Sequence, residues 1–497
     1  MKQAIPKAGP EETELKLALP GADPATLLAR LKRVPVLARR KSTTLHLHNI
    51  YFDTPDLVLR QQRIALRLRR VGDATHPQWL QTLKTAGRTD SALSQRGEWE
   101  TAVPAARLSR KALKNTPWPE IDADGSLFQA LQPVFETNFE RNIWLLRRRD
   151  GSVVEVALDI GEVVAGERRS PLCELELELK AGPSTALFDI AGQIAASMAL
   201  LPSATSKAQR GYALAQDATP MPRRAQPQAL APGLPVADAA QAVLSEMFAQ
   251  FTSNLQTLLV SDEPEVVHQA RVGWRRFKSV RRLFRPVLAR EAIPSCEPLQ
   301  ALLLCLGKMR DLDVAQIGTL PPLANTYVAG DPRRAQAWKQ MTASLAQAAL
   351  LQRKAVRYAL QDPAVGNCLL ATTQWLHDLT ATGALAIPEP DASLRRWTQD
   401  RVLRLREQLK LASKTVEAPE QQHRVRILAK RMRYDLEALG KLLPRKRVQR
   451  WQDQAIQLQS SLGDSRDALQ AVTLLLELGT DRGLTEFLRG HALGKKT

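Results

Sequence analysis

The sequence predicts two parts of different fold class, a β-rich N-terminal domain with flanking helices and an all-α C-terminal domain. Three observations predict this. Residues 11–180 alternate polar and apolar side chains with the period of a strand. Residues 214–234 hold a Pro- and Ala-rich stretch, DATPMPRRAQPQALAPG, with no period of either kind. Beyond Pro235 the alternation gives way to long runs rich in Ala, Leu, Gln and Arg, broken at Pro-containing turns. The expected division is therefore 9–213, a linker at 214–234, and 235–497.

The strand pattern is clearest in Glu12-Thr-Glu14-Leu-Lys16, Ala65-Leu-Arg67-Leu-Arg69, Val154-Glu155-Val-Ala-Leu-Asp159 and Glu174-Leu-Glu176-Leu-Glu178-Leu-Lys180. A helix is expected over Asp23–Arg33, where Asp23 suits the cap and Pro24 the first turn. A second is expected over Ser184–Met198. The C-terminal part repeats itself. His268 is followed by basic residues at +3, +7, +8 and +10 (Arg271, Arg275, Arg276, Lys278), and so is His423 (Arg426, Lys430, Arg431, Arg433). Leu306-Gly-Lys-Met-Arg310-Asp311 answers to Leu462-Gly-Asp-Ser-Arg466-Asp467, at nearly the same offset. Two similar helical units, about 235–387 and 388–497, account for both matches.

With 44% hydrophobic and 24% charged residues, the chain of 497 reads as globular, and its length requires more than one core. Aromatics at 5% argue against a base-stacking nucleic-acid binder. Cys173, Cys296, Cys305 and Cys368 lie far apart without zinc-ligand spacing and are expected to be reduced. The N-terminus shows no apolar signal region, and apolar runs such as Leu302–Leu306 are far too short to span a membrane, so a cytoplasmic location is expected. The net charge is +19, with 32 basic and 25 acidic residues through position 235 and 38 and 26 beyond it. Both parts should attract polyanions.

The polar faces of the N-terminal strands are densely ionic. Glu174, Glu176, Glu178 and Lys180 share one face of one strand, and three carboxylates in a row repel unless cations neutralise them. A solvated edge is the plain reading of one such strand. Glu12, Glu14 and Lys16 repeat the pattern, as do Arg67 with Arg69, Arg96 with Glu98 and Glu100, and Glu155 with Asp159. A sheet closed into a barrel would gather these faces around one lumen. There the carboxylates could hold a hard divalent cation, and the Arg and Lys side chains phosphate oxygens.

Glu12-x-Glu14-x-Lys16 resembles the ExExK signature of the CYTH superfamily, the triphosphate tunnel metalloenzymes. Asn49-Ile-Tyr51-Phe52-Asp53-Thr54-Pro55, the Ala65–Arg70 block, Gln81-Thr-Leu-Lys84, Ala157-Leu-Asp159-x-Gly161, the ELELELK strand and Ser206-Lys207-Ala-Gln-Arg210-Gly211-Tyr212 follow in the family's order. The resemblance covers residues 10–213 and implies an eight-stranded antiparallel barrel with a charged tunnel. It implies phosphate-binding catalytic roles for Lys16, Arg67, Arg69, Lys84, Arg141 and Lys207. It implies metal-side roles for Glu12, Glu14, Asp159, Glu174, Glu176 and Glu178, with Mg²⁺ or Mn²⁺ as the cofactor. Glu98, Glu100 and Glu155 are further tunnel candidates, and Arg147–Arg149 suit a solvated turn.

In the C-terminal part, His268, Arg271, Arg275, Lys278 and Arg282 form one helical stripe, with Phe277, Val280 and Phe284 on another face. His423, Arg426, Lys430 and Arg433 form the equivalent stripe, with Leu428, Met432, Leu436 and Leu439 on the apolar side. Neither stripe carries an acid before Glu437, which points to an anionic partner rather than water alone. The two histidines have a plain reading as satisfied interior residues. VHQARVGWRRFK, LGKMRDLDV, HRVRILAKRMRYDLE and LGDSRD together resemble the CHAD domain over residues 236–497. That resemblance implies tandem four-helix bundles with a basic groove for inorganic polyphosphate, and association with polyphosphate granules. The second repeat has no counterpart of Asp313, and Arg310-Asp311 suits a structural ion pair as well as a ligand contact.

Taken together, these resemblances imply a metal-dependent inorganic triphosphatase that splits tripolyphosphate into pyrophosphate and phosphate. A thiamine triphosphatase or adenylate cyclase of the same family is a second enzymatic reading, although no aromatic or amide cluster for a base is evident. A polyphosphate-granule binding protein with a vestigial tunnel is the non-enzymatic alternative.

Overall fold

The computed structural model describes residues 11–72, 77–289, 293–380, 393–414, 419–460 and 464–494. The chain divides into two compact units. The first comprises residues through Met221 together with Gln361–Gln374, and the second comprises Pro222–Leu360 and Trp375–Thr497.

The first unit is built on strands β1 (Glu11–Ala18), β2 (Ser42–Asp53), β3 (Ala65–Val71), β4 (Gln78–Lys84), β5 (Arg88–Asp90), β6 (Leu93–Val103), β7 (Gln132–Arg147), β8 (Val153–Ala165), β9 (Arg168–Ala181) and β10 (Leu201–Pro202). All pairings are antiparallel. Going around, the order is β1-β9-β8-β7-β2-β3-β4-β6, and β6 pairs back onto β1, so eight strands close a barrel. The short strands β10 and β5 add to β1 and β6. Closure leaves these eight strands without a free edge, and each carries one face inward and one outward.

The outward faces bury the leucines that alternate with the charges. Leu15, Leu17, Val154, Val156, Leu158, Leu175 and Leu177 form one core with Leu187, Ile190, Ala191 and Ile194. The last four lie on the helix Thr185–Ala195. Each fully buried Leu or Val there contributes roughly 1.5–3 kcal/mol. The first unit's helices are α1 (Pro24–Leu31), α2 (Val58–Gln61), α3 (Trp118–Ile121), α4 (Ser126–Ala130), α5 (Thr185–Ala195) and α6 (Lys207–Ala215). The Asp23 carboxylate caps α1 by accepting from the Ala25 N–H, with Pro24 in its first turn, as the sequence indicates.

Two of the sequence motifs also contain residues with structural roles. The buried Asp53 of the YFDTP run accepts from the N–H groups of Thr54, Leu59 and Arg60 at 2.7, 2.9 and 2.9 Å. It also accepts from the Tyr212 hydroxyl at 2.8 Å, which ties α2 to α6. Gly211 lets α6 lie on the barrel, because a Cβ there would stand 2.0 Å from the Phe135 ring.

The second unit is largely helical: α7 (Val236–Thr257), α8 (Pro264–Phe284), α9 (Gln300–Val314), α10 (Ala324–Val328), α11 (Pro332–Ala359), the end of α12 (Pro363–Asp378), α13 (Leu394–Ala412), α14 (Pro419–Leu439), α15 (Arg445–Ser460), α16 (Asp464–Glu477) and α17 (Arg482–Gly494). The first repeat motif lies on α8 and again on α14. Phe277, Val280 and Phe284 are fully buried, and so are Leu428, Met432, Leu436 and Leu439 to within a few per cent. The second LGDSRD motif begins outside the described residues and runs into α16 from Asp464. All four cysteines are free, and no described helix is long and apolar enough to cross a membrane.

Candidate active site in the barrel lumen

Cross-strand register brings the charged faces together. Lys16 of β1 stands opposite Glu176 of β9, which stands opposite Ala157 of β8; Glu14, Glu178 and Glu155 form the neighbouring rung. Arg141 of β7, Asp159 of β8 and Glu174 of β9 form a third. Across the barrel Tyr51 opposes Arg67, Arg67 opposes Thr82, and Lys84 opposes Glu98. Eight basic and seven acidic side chains line the resulting cavity of about 210 Å³. Near-balance of charge is what allows so many ions to share a low-dielectric space.

One region of the lumen is an acidic cluster locked by cations. Asp159, Glu174 and Glu176 each offer an oxygen, and these oxygens lie within 4.8 Å of one another, the only such His/Cys/Asp/Glu grouping among the described residues. Arg141 holds Asp159 with two parallel bonds of 2.7 Å and reaches Glu176 at 2.6 Å. Lys207 contacts Asp159 at 2.6 Å, Glu176 at 2.9 Å, and Glu174. Arg210 meets Glu174 at 3.1 Å. Burial disfavours the Glu176 carboxylate, yet Lys207, Lys16 and Arg141 together hold its pKa well below the usual range. An all-oxygen set of buried carboxylates fits a hard divalent cation such as Mg²⁺ or Mn²⁺ rather than zinc.

Another region has cations with looser partners. Arg67 reaches Glu98 only at 3.4 Å and Glu100 at 4.0 Å; Arg69 reaches Glu100 at 3.8 Å and donates to the Asn49 side chain at 2.9 Å. Burial and repulsion from Arg67 and Arg141 push the Arg69 guanidinium down to about 10. The Tyr51 phenol beside them, although buried, is drawn below its ordinary value by Arg67. Both effects report a positive field at Arg69 and Tyr51, the environment a phosphate chain needs, whereas Tyr51, Glu98 and Glu100 hold the Arg67 guanidinium above its ordinary value despite its burial.

The structure thus places Lys16, Arg67, Arg69, Lys84, Arg141 and Lys207 on the cavity wall, together with Glu12, Glu14, Glu176 and Glu178. Asp159 and Glu174 lie behind the wall in the cluster, with 0% and 1% exposure. Glu12 and Glu14 stand outside the metal-sized grouping. Glu12 pairs with Lys84 at 2.8 Å and Arg96 at 3.1 Å, and Glu14 with Arg96 at 2.7 Å and Lys16 at 3.1 Å. Glu178 pairs with Lys180 at 2.6 Å. Tyr51, Arg96 and Lys180 line the cavity and Arg210 meets Glu174, and none of the four was among the site residues read from the sequence. Arg96 was visible as the partner of Glu98 and Glu100 on one strand face. Tyr51 sits two residues before the structural Asp53, and Arg210 three after Lys207 on one helix face, the only local signals either offered. Of the Arg147–Arg149 run, Arg147 and Arg149 are exposed, while Arg148 pairs with Asp189 at 2.8 Å.

On the helical unit, Arg275 and Lys278 are exposed, and His268 and Arg271 are half-buried beside them. Burial, then repulsion by Arg275 on α8 and Arg310 on α9, pushes the Arg271 guanidinium down to about 10, against the attraction of Asp311. His268 is lowered by burial and then by Arg310. Arg276 belongs to the interior instead, 3% exposed and bound to Gln250 at 2.5 Å and Glu246 at 3.3 Å. In the equivalent stripe His423 is exposed, and Arg426 and Lys430 are partly buried. Arg433 pairs with Glu437 at 3.3 Å and lies over the Tyr434 ring. Asp313 is buried and paired with Arg353 at 3.1 Å, a structural role that needs no counterpart in the second repeat.

Residues 10–212 match the family model described as the CYTH domain, and residues 242–476 that of the CHAD domain. An inorganic triphosphatase from Haemophilus influenzae is 34% identical over 204 residues, which is 41% of this chain and 55% of that protein. The chain therefore spans about half the length of this curated relative. A CHAD domain from the plant Ricinus communis is 26% identical, with 56% of this chain and 91% of that one covered at a TM-score of 0.47. A putative adenylyl cyclase from Hippeastrum, described as having dominant triphosphatase activity, is 20% identical, with 41% and 95% covered at 0.31.

Proposed function

Given that the chain joins a CYTH domain to a CHAD domain, we propose that its barrel is a metal-dependent inorganic triphosphatase cleaving tripolyphosphate to pyrophosphate and phosphate. The observation that carries the reading is the presence inside one lumen of an acidic cluster of metal-ligand size and of the long-paired Arg67 and Arg69, of which Arg69 is under-neutralised. Hydrolysis of a phosphoanhydride needs charge neutralisation and in-line positioning more than a protein nucleophile. Arg67 and Arg69 bind and orient the phosphate chain, their planar forks matching its oxygens. Lys16 and Lys84 neutralise charge from the β1 and β4 walls. Asp159, Glu174 and Glu176 would hold the divalent cation, which when bound supplies charge neutralisation and a more acidic water. Arg141 keeps Asp159 and Glu176 in place through its three short bonds.

For the helical unit, the proposed ligand is inorganic polyphosphate, held by His268, Arg271, Arg275 and Lys278 and by His423, Arg426, Lys430 and Arg433. Crowded cations around Arg271 support this. A cytoplasmic location, with recruitment to polyphosphate granules, goes with the same reading.

The test is phosphate release from tripolyphosphate, ATP and thiamine triphosphate, each with Mg²⁺, with Mn²⁺ and with chelator. Cation-dependent release, fastest with tripolyphosphate, is expected. A preference for either organic triphosphate, or no release from any, would reject the assignment.

A further inference from the structure

The side chain of Lys207 enters the acidic cluster from the first turn of α6. Its ammonium touches Asp159 at 2.6 Å, Glu176 at 2.9 Å, and Glu174, which are the same three carboxylates that form the metal-sized grouping. An ammonium has three N–H donors, and three acidic side chains surround this one. Arg141 and Arg210 contact the cluster too, but each grips it by a guanidinium edge: Arg141 on Asp159 and Glu176, Arg210 on Glu174 alone. Lys207 is the cation common to all three.

The backbone carrying it is anchored. Ser206 and Gln209 form a reciprocal cap at the start of α6, Gly211 is seated against Phe135, and Tyr212 is bonded to Asp53. The rotatable bonds between that backbone and the ammonium are those of the four-carbon Lys207 stem, and the residue already lines the cavity. A divalent ion bound with the ammonium still in place would put like charges within a few ångströms in a buried site, which is strongly unfavourable.

We infer that Lys207 is an internal counter-ion: its ammonium holds the position that the divalent cation takes, and cation binding expels it into the lumen, where phosphate becomes its partner. The inference rests on the metal-dependent reading above and adds a coupling to it. Without cation, Lys207 keeps the three carboxylates from repelling one another. With cation, the same side chain becomes a phosphate ligand, so cation and phosphate chain favour each other's binding.

The experiment is calorimetric titration of the full chain with Mn²⁺ alone, for the wild type, Lys207→Met and Lys207→Arg, alongside thermal unfolding in chelator. Removing the competitor should tighten Mn²⁺ binding at least tenfold in Lys207→Met and lower its unfolding temperature without cation. Lys207→Arg retains the charge and should stay within about threefold of the wild type, since a guanidinium still competes for the carboxylates. Unchanged or weaker Mn²⁺ binding by Lys207→Met would overturn the inference. So would a tightening in Lys207→Arg equal to that in the methionine variant, because size rather than charge would then be responsible. Wild-type hydrolysis of tripolyphosphate alongside either result would leave the triphosphatase reading standing. Tightened Mn²⁺ binding without any hydrolysis would reject that reading and keep the counter-ion.

Discussion

Replacing Arg141 by methionine tests how the acidic cluster is held together. The change keeps the length of the side chain and removes its charge. Asp159, wholly buried, loses two bonds of 2.7 Å, and Glu176 loses one of 2.6 Å. Lys207, Arg210 and Lys16 remain to balance three carboxylates. Removing one partner of a buried ion pair costs about 3–5 kcal/mol. At about 2–4 °C per kcal/mol for a domain of this size, the barrel should melt roughly 6–20 °C lower in chelator. Saturating Mn²⁺ should recover part of that loss, because a bound cation replaces the missing charge. The gap should also narrow in acid. Glu176 titrates well below its ordinary value of 4.5 in the folded chain, so its contribution is present above that value and disappears as pH falls through the folded pKa. The assay is scanning calorimetry in chelator and in Mn²⁺ from neutral pH downward, scoring the transition that Mn²⁺ shifts. An unchanged melting temperature at neutral pH, or equal loss with and without Mn²⁺, would refute the view that Arg141 neutralises a cation site.

Glu174→Gln combined with Glu176→Gln should abolish cation-dependent phosphate release while circular dichroism stays that of the wild type; near-normal turnover at saturating Mn²⁺ would exclude both as ligands. Arg67→Ala and Arg69→Ala should each raise KM for tripolyphosphate and lower kcat, with lysine rescuing only part because the two-pronged contact is lost; unchanged steady-state kinetics would reject the phosphate role. On the helical unit, Arg271→Ala, Arg275→Ala, Arg426→Ala and Lys430→Ala together should weaken binding of long-chain polyphosphate and flatten its dependence on salt, measured by titration at two ionic strengths. Full affinity after the fourfold change would mark these stripes as solvated faces. A fragment ending at Met221 should melt below the full chain by calorimetry, since it lacks Leu370 of the barrel core; an equal melting temperature would show that this contact contributes nothing.

Much of the barrel and its lumen was legible in the sequence because the code involved is local. A period of two assigns Leu175 and Leu177 to one face and Glu174 and Glu176 to the other wherever the strand goes, and like charges stacked on one face imply opposite charges across from them. The repeat beginning at His268 and His423 was legible for the same reason, since helical spacing alone separates the basic stripe from Phe277, Phe284, Met432 and Leu436. Local patterns carry no distances between elements that are far apart in sequence. Only the fold could decide that Asp159, Glu174 and Glu176 make a cation-sized group and that Glu12 and Glu14 pair with Arg96, Lys84 and Lys16. The same applies to Asp53, whose carboxylate caps α2 and anchors Tyr212 from 159 residues away. It applies again to Gln361–Gln374, helical in pattern like its neighbours yet part of the barrel's unit. The sequence by itself determined which side chains could face one another; the tertiary structure decided which carboxylate meets which cation, because burial and closure of the barrel set distances that periodicity cannot encode.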